Sequence, residues 1–373
     1  MSKSAIVIGA GIVGLATARA LGERGYQVTV IERSGKAVGA SIRNFGMVWP
    51  IGQPEGKLYE RALKAKSIWK EVLTGGKLWF HEGGSLHMAY KPDELEVIQQ
   101  IVAASDARPV RVLSPEETIS KSDAVNQKGL LGSLFCEDEM IVDPREAIAG
   151  IPAYLTARYG VRFIWDTAIS EVSHPTVSSG KNQWNADEIF ICSGQDFETL
   201  YPEEFSNTAI TKCKLQMLRL ESQPDQWKIG PALCGGLSLI HYDGFKAAAS
   251  LGRLKERYQS EYAAYMKWGI HVMASQNGLG EITVGDSHEY ALTFDPFDRA
   301  FINTLILDYL GTFATFKSSK VFQTWHGIYP KMTNGNTEIV LRPDQGVTII
   351  NGLGGAGMTL SFGLCDEIIG GTY

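Results

Sequence analysis

Apolar and polar positions follow two regimes along the chain, and the change between them suggests how it is organised. Residues 5–8 are a short apolar run, followed by GAGIVG (9–14), a helical pattern over Ile12–Glu23 and a second apolar run that closes on Glu32. Gly25 gives that helix its stop. Helical spacing predicts a helix over 58–73, and alternation predicts a strand over 84–90. Ser114, Pro115 and Glu117 make a capping box with proline at the first helical position, so a short helix starts there. Residues 143–158 read as a helix feeding a strand at 160–165, and 189–192 as a buried strand.

From 210 to 320 the pattern is mostly β. Strands are predicted at 212–220, 236–242, 269–276 and 281–286, with Asn277-Gly278 as a hairpin turn and a helix following over 298–313. Lys212 and Lys214 suggest that the first of these is a solvated edge strand. The chain then returns to α/β character, with a strand at 347–351 and a glycine-rich turn at 352–359 that enters a last helix. The expected fold class is α/β: a Rossmann-type nucleotide domain (1–80, 141–208 and 322–373) interleaved with an α+β substrate domain (81–140 and 209–321) on a mostly antiparallel sheet.

A strand, a glycine turn, a helix and a second strand ending in a carboxylate form a dinucleotide-binding βαβ unit. Gly9 permits the tight turn, Gly11 lets the backbone approach a pyrophosphate, and Gly14 allows close packing of helix on sheet. Ile12 and Val13 open the helix, whose unpartnered N–H groups receive the phosphate charge. Glu32 stands where a carboxylate accepts hydrogen bonds from ribose hydroxyls, and Arg33 beside it leaves slight room for a 2′-phosphate.

Length, at 373 residues, suits two cores, and 44% hydrophobic with 20% charged residues describes a soluble globular protein of enzyme size. A net charge of −6 argues against a nucleic-acid partner, and no apolar run is long enough to span a membrane. The apolar N-terminus is committed to the first strand rather than to a signal peptide. The five cysteines include no C-x-x-C pair, so they read as free thiols of a cytoplasmic protein, and no metal site is expected.

Several segments together resemble the D-amino-acid oxidase superfamily of FAD enzymes, which includes glycine and sarcosine oxidases. The N-terminal fingerprint is similar, as is GASIRNFG (39–46) to the family's segment beneath the flavin. ADEIFICSG (186–194) is similar to A-D-x-V-V-x-A-x-G, WHGIYP (325–330) to W-x-G-x-R-P, and GLGGAGMTLSFG (352–363) to the closing glycine motif. The resemblance implies FAD, held non-covalently because 325–330 contains no cysteine. Beyond the fingerprint, it implies cofactor contacts at Ala40, Ser41, Arg43, Asn44, Phe45, Gly46 and Met47. It further implies Ile169, Ser193, Gly194 and Gly327, and finally Gly354, Gly355, Ala356, Gly357, Met358 and Thr359. The last helix start would also stabilise the negative charge of reduced flavin.

The departures bear on substrate. Tyr329 replaces the arginine that clamps a substrate carboxylate, Thr359 replaces a second cationic anchor, and Thr283 falls where some relatives carry an oxygen-activating lysine. NFGMVWPIGQP (44–54) and GDSHEY (285–290) resemble a subgroup associated with aminoalkylphosphonate breakdown. A phosphonate is a tetrahedral dianion that several donors suit better than one fork, and Arg43, His271, His288 and Tyr329 are the candidate substrate-site residues. Trp49 and Trp325 read as packing. The implied activity is oxidation of a small anionic amine by hydride transfer to flavin N5, then imine hydrolysis, with O2 or an electron carrier as acceptor. A 2-hydroxy-acid dehydrogenase is the alternative; a tRNA-modifying flavoprotein and a non-catalytic flavoprotein are weaker ones.

Overall fold

In the computed structural model, which describes residues 2–105 and 108–373, the N-terminal apolar run becomes the centre of a six-stranded sheet. Strand β1 (Ser4–Ile8) lies between β2 (Gln27–Ile31) and the strand Glu188–Ile191, all parallel. The order across the sheet is Ile339–Leu341, Val347–Asn351, Glu188–Ile191, β1, β2, Arg162–Ile164, antiparallel only at its first pair. Continuous apolar runs are what a strand covered on both faces requires. One face packs against helix α1 (Ile12–Glu23) and the helices Lys57–Gly76, Pro144–Tyr159 and Gly357–Gly370, through Leu15, Trp69, Leu73, Ile151 and Phe362. The Trp69 indole N–H donates to the Met358 carbonyl at 2.7 Å, which ties the closing helix to this layer.

The second sheet is mostly antiparallel, as expected. Its path runs Glu289–Ala291, Ile210–Leu220, Ile282–Gly285, Met273–Gln276, Ala232–Cys234, Ser85–Ala89, Gly132–Cys136, Val110–Leu113, parallel only between Ala232–Cys234 and Ser85–Ala89. The hairpin at Asn277-Gly278 and the Ser114 capping box both form, Ser114 Oγ accepting from the Glu117 N–H.

Three expectations are corrected. Ile210–Leu220 is an interior strand, paired on one side with Ile282–Gly285 and Glu289–Ala291 and on the other with the twelve-residue strand Val321–Met332. Lys212 and Lys214 are accordingly 9% and 3% exposed; their stems are buried and each ammonium is matched, Lys212 by Glu198 and Lys214 by two carbonyls and Asp298. Residues 236–240 form a 3-10 turn, and the strand lies just before it at Ala232–Cys234. A side chain at Gly235 would strike Tyr309 and Phe313, so the chain turns there flush against aromatic rings. Finally, Val321–Met332 hydrogen-bonds into the second sheet although the sequence reading puts 322–332 with the nucleotide domain.

Candidate active site

The β1–α1 turn has the strained geometry that its glycines allow. Gly9 has φ +104°, and a Cβ at Gly14 would lie 1.9 Å from the Gly9 carbonyl oxygen, so no larger residue permits this close crossing. The Ile12 N–H, one of the open donors of the helix start, goes to Ser41 Oγ at 2.9 Å. Glu32 turns back toward the loop, accepting from the Ala10 N–H at 2.9 Å and the Ser34 N–H at 3.1 Å. Each carboxylate oxygen keeps a further lone pair for a ribose hydroxyl.

Residues 40–46 are folded by Asn44, whose amide donates to the Ala40 and Ser41 carbonyls and accepts from the Gly46 N–H. Arg43 donates to the His326 carbonyl at 3.1 Å, and a Cβ at Gly327 would come within 3.1 Å of the Arg43 carbonyl, so strand 321–332 is drawn tightly against this loop. On the third side the closing helix begins at Gly357, where a Cβ would reach Ile12 at 3.8 Å. The two glycine-opened helices therefore start side by side.

Between these elements lies a cavity of about 500 Å³. It is lined by Gly11, Ile12 and Val13, by Ala40, Ser41, Arg43, Asn44, Phe45 and Met47, by Gly194 and Gly327, and by Gly354 through Thr359. Of the expected cofactor positions, Gly9, Gly14 and Gly46 shape the backbone around it without lining it, and Glu32 stands behind the first turn. Arg33 is paired with Asp196 at 2.6 Å, Ser193 Oγ bonds to the Asp196 carbonyl, and Ile169 is buried in the apolar layer with Ile6 and Ile189. These three do not line the cavity.

The second sheet closes the far side. Tyr329, His271 and His288 all line the cavity, and they are joined by His241, Tyr242, Asp286 and Lys331. His271 and Asp286 exchange backbone hydrogen bonds, and His271 Nε2 lies 3.1 Å from Asp286 Oδ1. His288 Nδ1 is 2.8 Å from the Gly269 carbonyl. The rings of His241 and His271 are 3.7 Å apart, centroid to centroid. Burial lowers all three imidazoles, His288 to about 4, and raises Asp286 and the Tyr329 hydroxyl.

His241, Tyr242 and Lys331 were not among the site residues expected from sequence. The first two end the segment 236–242, which reads as a strand, and nothing local links them to His271. Thr359 accepts the Trp49 N–H at 2.9 Å, so its hydroxyl is spent on positioning Trp49, which also borders the cavity. Thr283 pairs with Ser275 and Arg219 within the sheet and does not line the cavity; Met273 does.

A family model described as FAD dependent oxidoreductase matches residues 4–369. A D-amino acid dehydrogenase of Helicobacter pylori is 25% identical over 251 residues, which is 52% of this chain and 60% of the relative, so the match spans less than two thirds of that protein. Among solved structures, glycine oxidase from Bacillus cereus ATCC 14579 superposes with a TM-score of 0.76 at 16% identity, covering 100% of this chain and 96% of that one. Iminodiacetate oxidase from Chelativorans sp. BNC1 gives 0.72 at 20% identity, covering 99% and 94%. Among the described residues, no helix is long and apolar enough to cross a membrane. The family match runs unbroken through both glycine-opened helices and the two sheets between them, and the chain belongs to the FAD-dependent oxidoreductases.

Proposed function

We propose that the protein oxidises the C–N bond of a small anionic amine, an amino acid, an N-methyl amino acid or, as favoured here, an aminoalkylphosphonate. The carrying observation is the far wall of the cavity, where Tyr329 and Thr359 stand in place of the family's cationic anchors and His241, His271, His288, Tyr329 and Lys331 gather instead. A tetrahedral dianion needs several partners spread around it, which this wall offers and a single guanidinium would not. FAD bound between the two helix starts supplies the hydride acceptor.

The chain's own residues then have positioning work. Arg43, Phe45 and Met47 shape the floor, and Gly327 lets the 321–332 strand come close. The Tyr329 hydroxyl, kept protonated by burial, remains a hydrogen-bond donor, and Lys331 contributes a positive charge on the same strand. The imine product hydrolyses in water to a carbonyl compound and the free amine. Cys192 borders the cavity, but burial raises its thiol pKa, which keeps it a poor nucleophile toward the flavin. Acid precipitation is therefore expected to release the yellow chromophore entirely.

A second reading is favoured by one feature: His271 Nδ1 is buried and finds no hydrogen-bond partner among the described residues, and a free imidazole lone pair is the base that oxidation of a 2-hydroxy acid requires. Anaerobic titration of the flavoprotein with glycine, sarcosine, N-methyl-2-aminoethylphosphonate and 2-hydroxyglutarate separates the two. Bleaching of the visible flavin band by the aminophosphonate at the lowest concentration supports the amine reading; bleaching by 2-hydroxyglutarate alone overturns it. Turnover under air, compared with turnover on an artificial acceptor, decides between O2 and an electron carrier.

A further inference from the structure

We propose that His241, His271 and His288 form a binding site for one divalent transition-metal ion of the zinc class, facing the substrate end of the cavity. One ring nitrogen from each lies within 4.8 Å of the others, and the three come from the end of a 3-10 turn, from the approach to the strand Met273–Gln276 and from the loop after Ile282–Gly285. Zinc–imidazole bonds of about 2.0–2.1 Å bring ligand nitrogens to about 3.4 Å, so closure needs shifts of roughly an ångström. His241, which follows the turn, carries no strand pairing that would oppose such a shift.

The orientation of the His288 ring argues for a cation over an anion. His288 Nδ1 faces the Gly269 carbonyl, which can only accept, so the proton of the neutral ring sits there and Nε2 presents a lone pair. His271 Nε2 faces the Asp286 carboxyl, and its Nδ1 is buried with no partner among the described residues. The backbone carbonyl behind His288 is a support of the kind that orients metal-binding histidines. The three rings are stacked, with planes 17–37° apart, so ligation also requires the rings to turn toward a common point.

Three protein ligands leave open positions on the ion, and the cavity supplies room for them. Resting on the amine reading above, the open positions would take the substrate's phosphonate or carboxylate oxygens, replacing the absent arginine clamp with a metal.

The test uses tag-free flavoprotein stripped with a chelator, dialysed and titrated with Zn2+ by calorimetry, with metal content measured per flavin. One Zn2+ per chain with micromolar or tighter affinity is expected. His271→Gln and His288→Gln should each weaken binding at least a hundredfold while flavin spectrum and thermal unfolding stay normal. Absence of stoichiometric Zn2+, or binding untouched by the histidine substitutions, overturns the site. Inorganic phosphate is the probe for the second step: binding to the Zn2+-loaded protein at least tenfold tighter than to the stripped protein supports it, and equal binding overturns the anion role while the metal site stands. Failure of every amine to bleach the flavin, with Zn2+ still bound, would count against the substrate reading alone.

Discussion

Glu32 and Tyr329 represent two kinds of candidate site residue, one recognisable from its neighbours and one whose setting had to be assembled by the fold. Glu32 follows its glycine turn at a spacing that βαβ geometry dictates, and its carboxylate does reach back to that turn. As the proposed ribose acceptor of the cofactor, Glu32 should contribute an interaction of about 1.5–3 kcal/mol, which Glu32→Ala removes. FAD affinity, measured by flavin fluorescence on the reconstituted apoprotein, should fall between about tenfold and a hundredfold. Unchanged affinity would remove Glu32 from the cofactor site. Tyr329 pairs in register with Cys213 inside the second sheet and presents its hydroxyl to the cavity. Tyr329→Phe keeps the ring and deletes one donor, so KM for the best substrate should rise about fivefold to tenfold with kcat nearly unchanged. A fall in kcat at constant KM would instead give Tyr329 a part in the chemical step. The histidine trio is legible only in part: His271 and His288 stand out as titratable groups, but the third member sits at the end of the 3-10 turn 236–240, remote in sequence, and only the tertiary fold brings it near.

Local chemistry made most elements readable, and the failures share a cause in tertiary burial. The α1 helix matches its expected span residue for residue because Gly11 and Gly25 bound it. The turn at 236–240 was misread because its apolar positions are buried by neighbours on all sides, which imitates a strand. Lys212 and Lys214 were misread because alternating lysines ordinarily mark water, whereas here long stems carry the charge to acceptors at the sheet surface. Lys214 binds the Asp295 and Phe297 carbonyls at 3.0 Å each and Asp298 at 3.2 Å, which fastens the 292–299 segment to the interior strand. Lys214→Met fills the same space without the charge and strands those acceptors. Stability should fall by about 2–3 kcal/mol, read from the urea midpoint, and proteolytic cleavage should appear within 292–299. A variant with wild-type midpoint and wild-type cleavage would show that the segment is held by other contacts.

At the scale of the whole molecule, the two-sheet plan was legible from the change of hydrophobic period, but the interface was not, since the residues closing the cavity come from the middle of the sequence and the helix starts from its two ends. That interface and the second core bury neutral histidines, and this makes the protein acid-sensitive in a definite direction. His87 is wholly buried against Trp49 and Phe245, neither ring nitrogen has a partner among the described residues, and burial pushes its pKa down to about 3. The unfolded chain titrates near the usual histidine value of about 6.5. Between those values the unfolded state holds a proton that the native state refuses, so stability rises with pH across the window and is lost as pH falls from about 6.5 toward 3. One such group costs about 1.4 kcal/mol per pH unit, or roughly 2 kcal/mol between pH 6.5 and 5. His241, His271 and His288 shift in the same direction, so the wild-type slope is the sum of several groups. His87→Leu isolates one of them: it removes the titration and two unmatched nitrogens from an apolar setting, and should lose about 2 kcal/mol less than wild type between pH 7 and pH 5. Urea unfolding of both proteins at the two pH values measures the difference directly. Parallel losses would mean that His87 opens to water before the molecule unfolds, and that acid sensitivity arises wholly at the cavity.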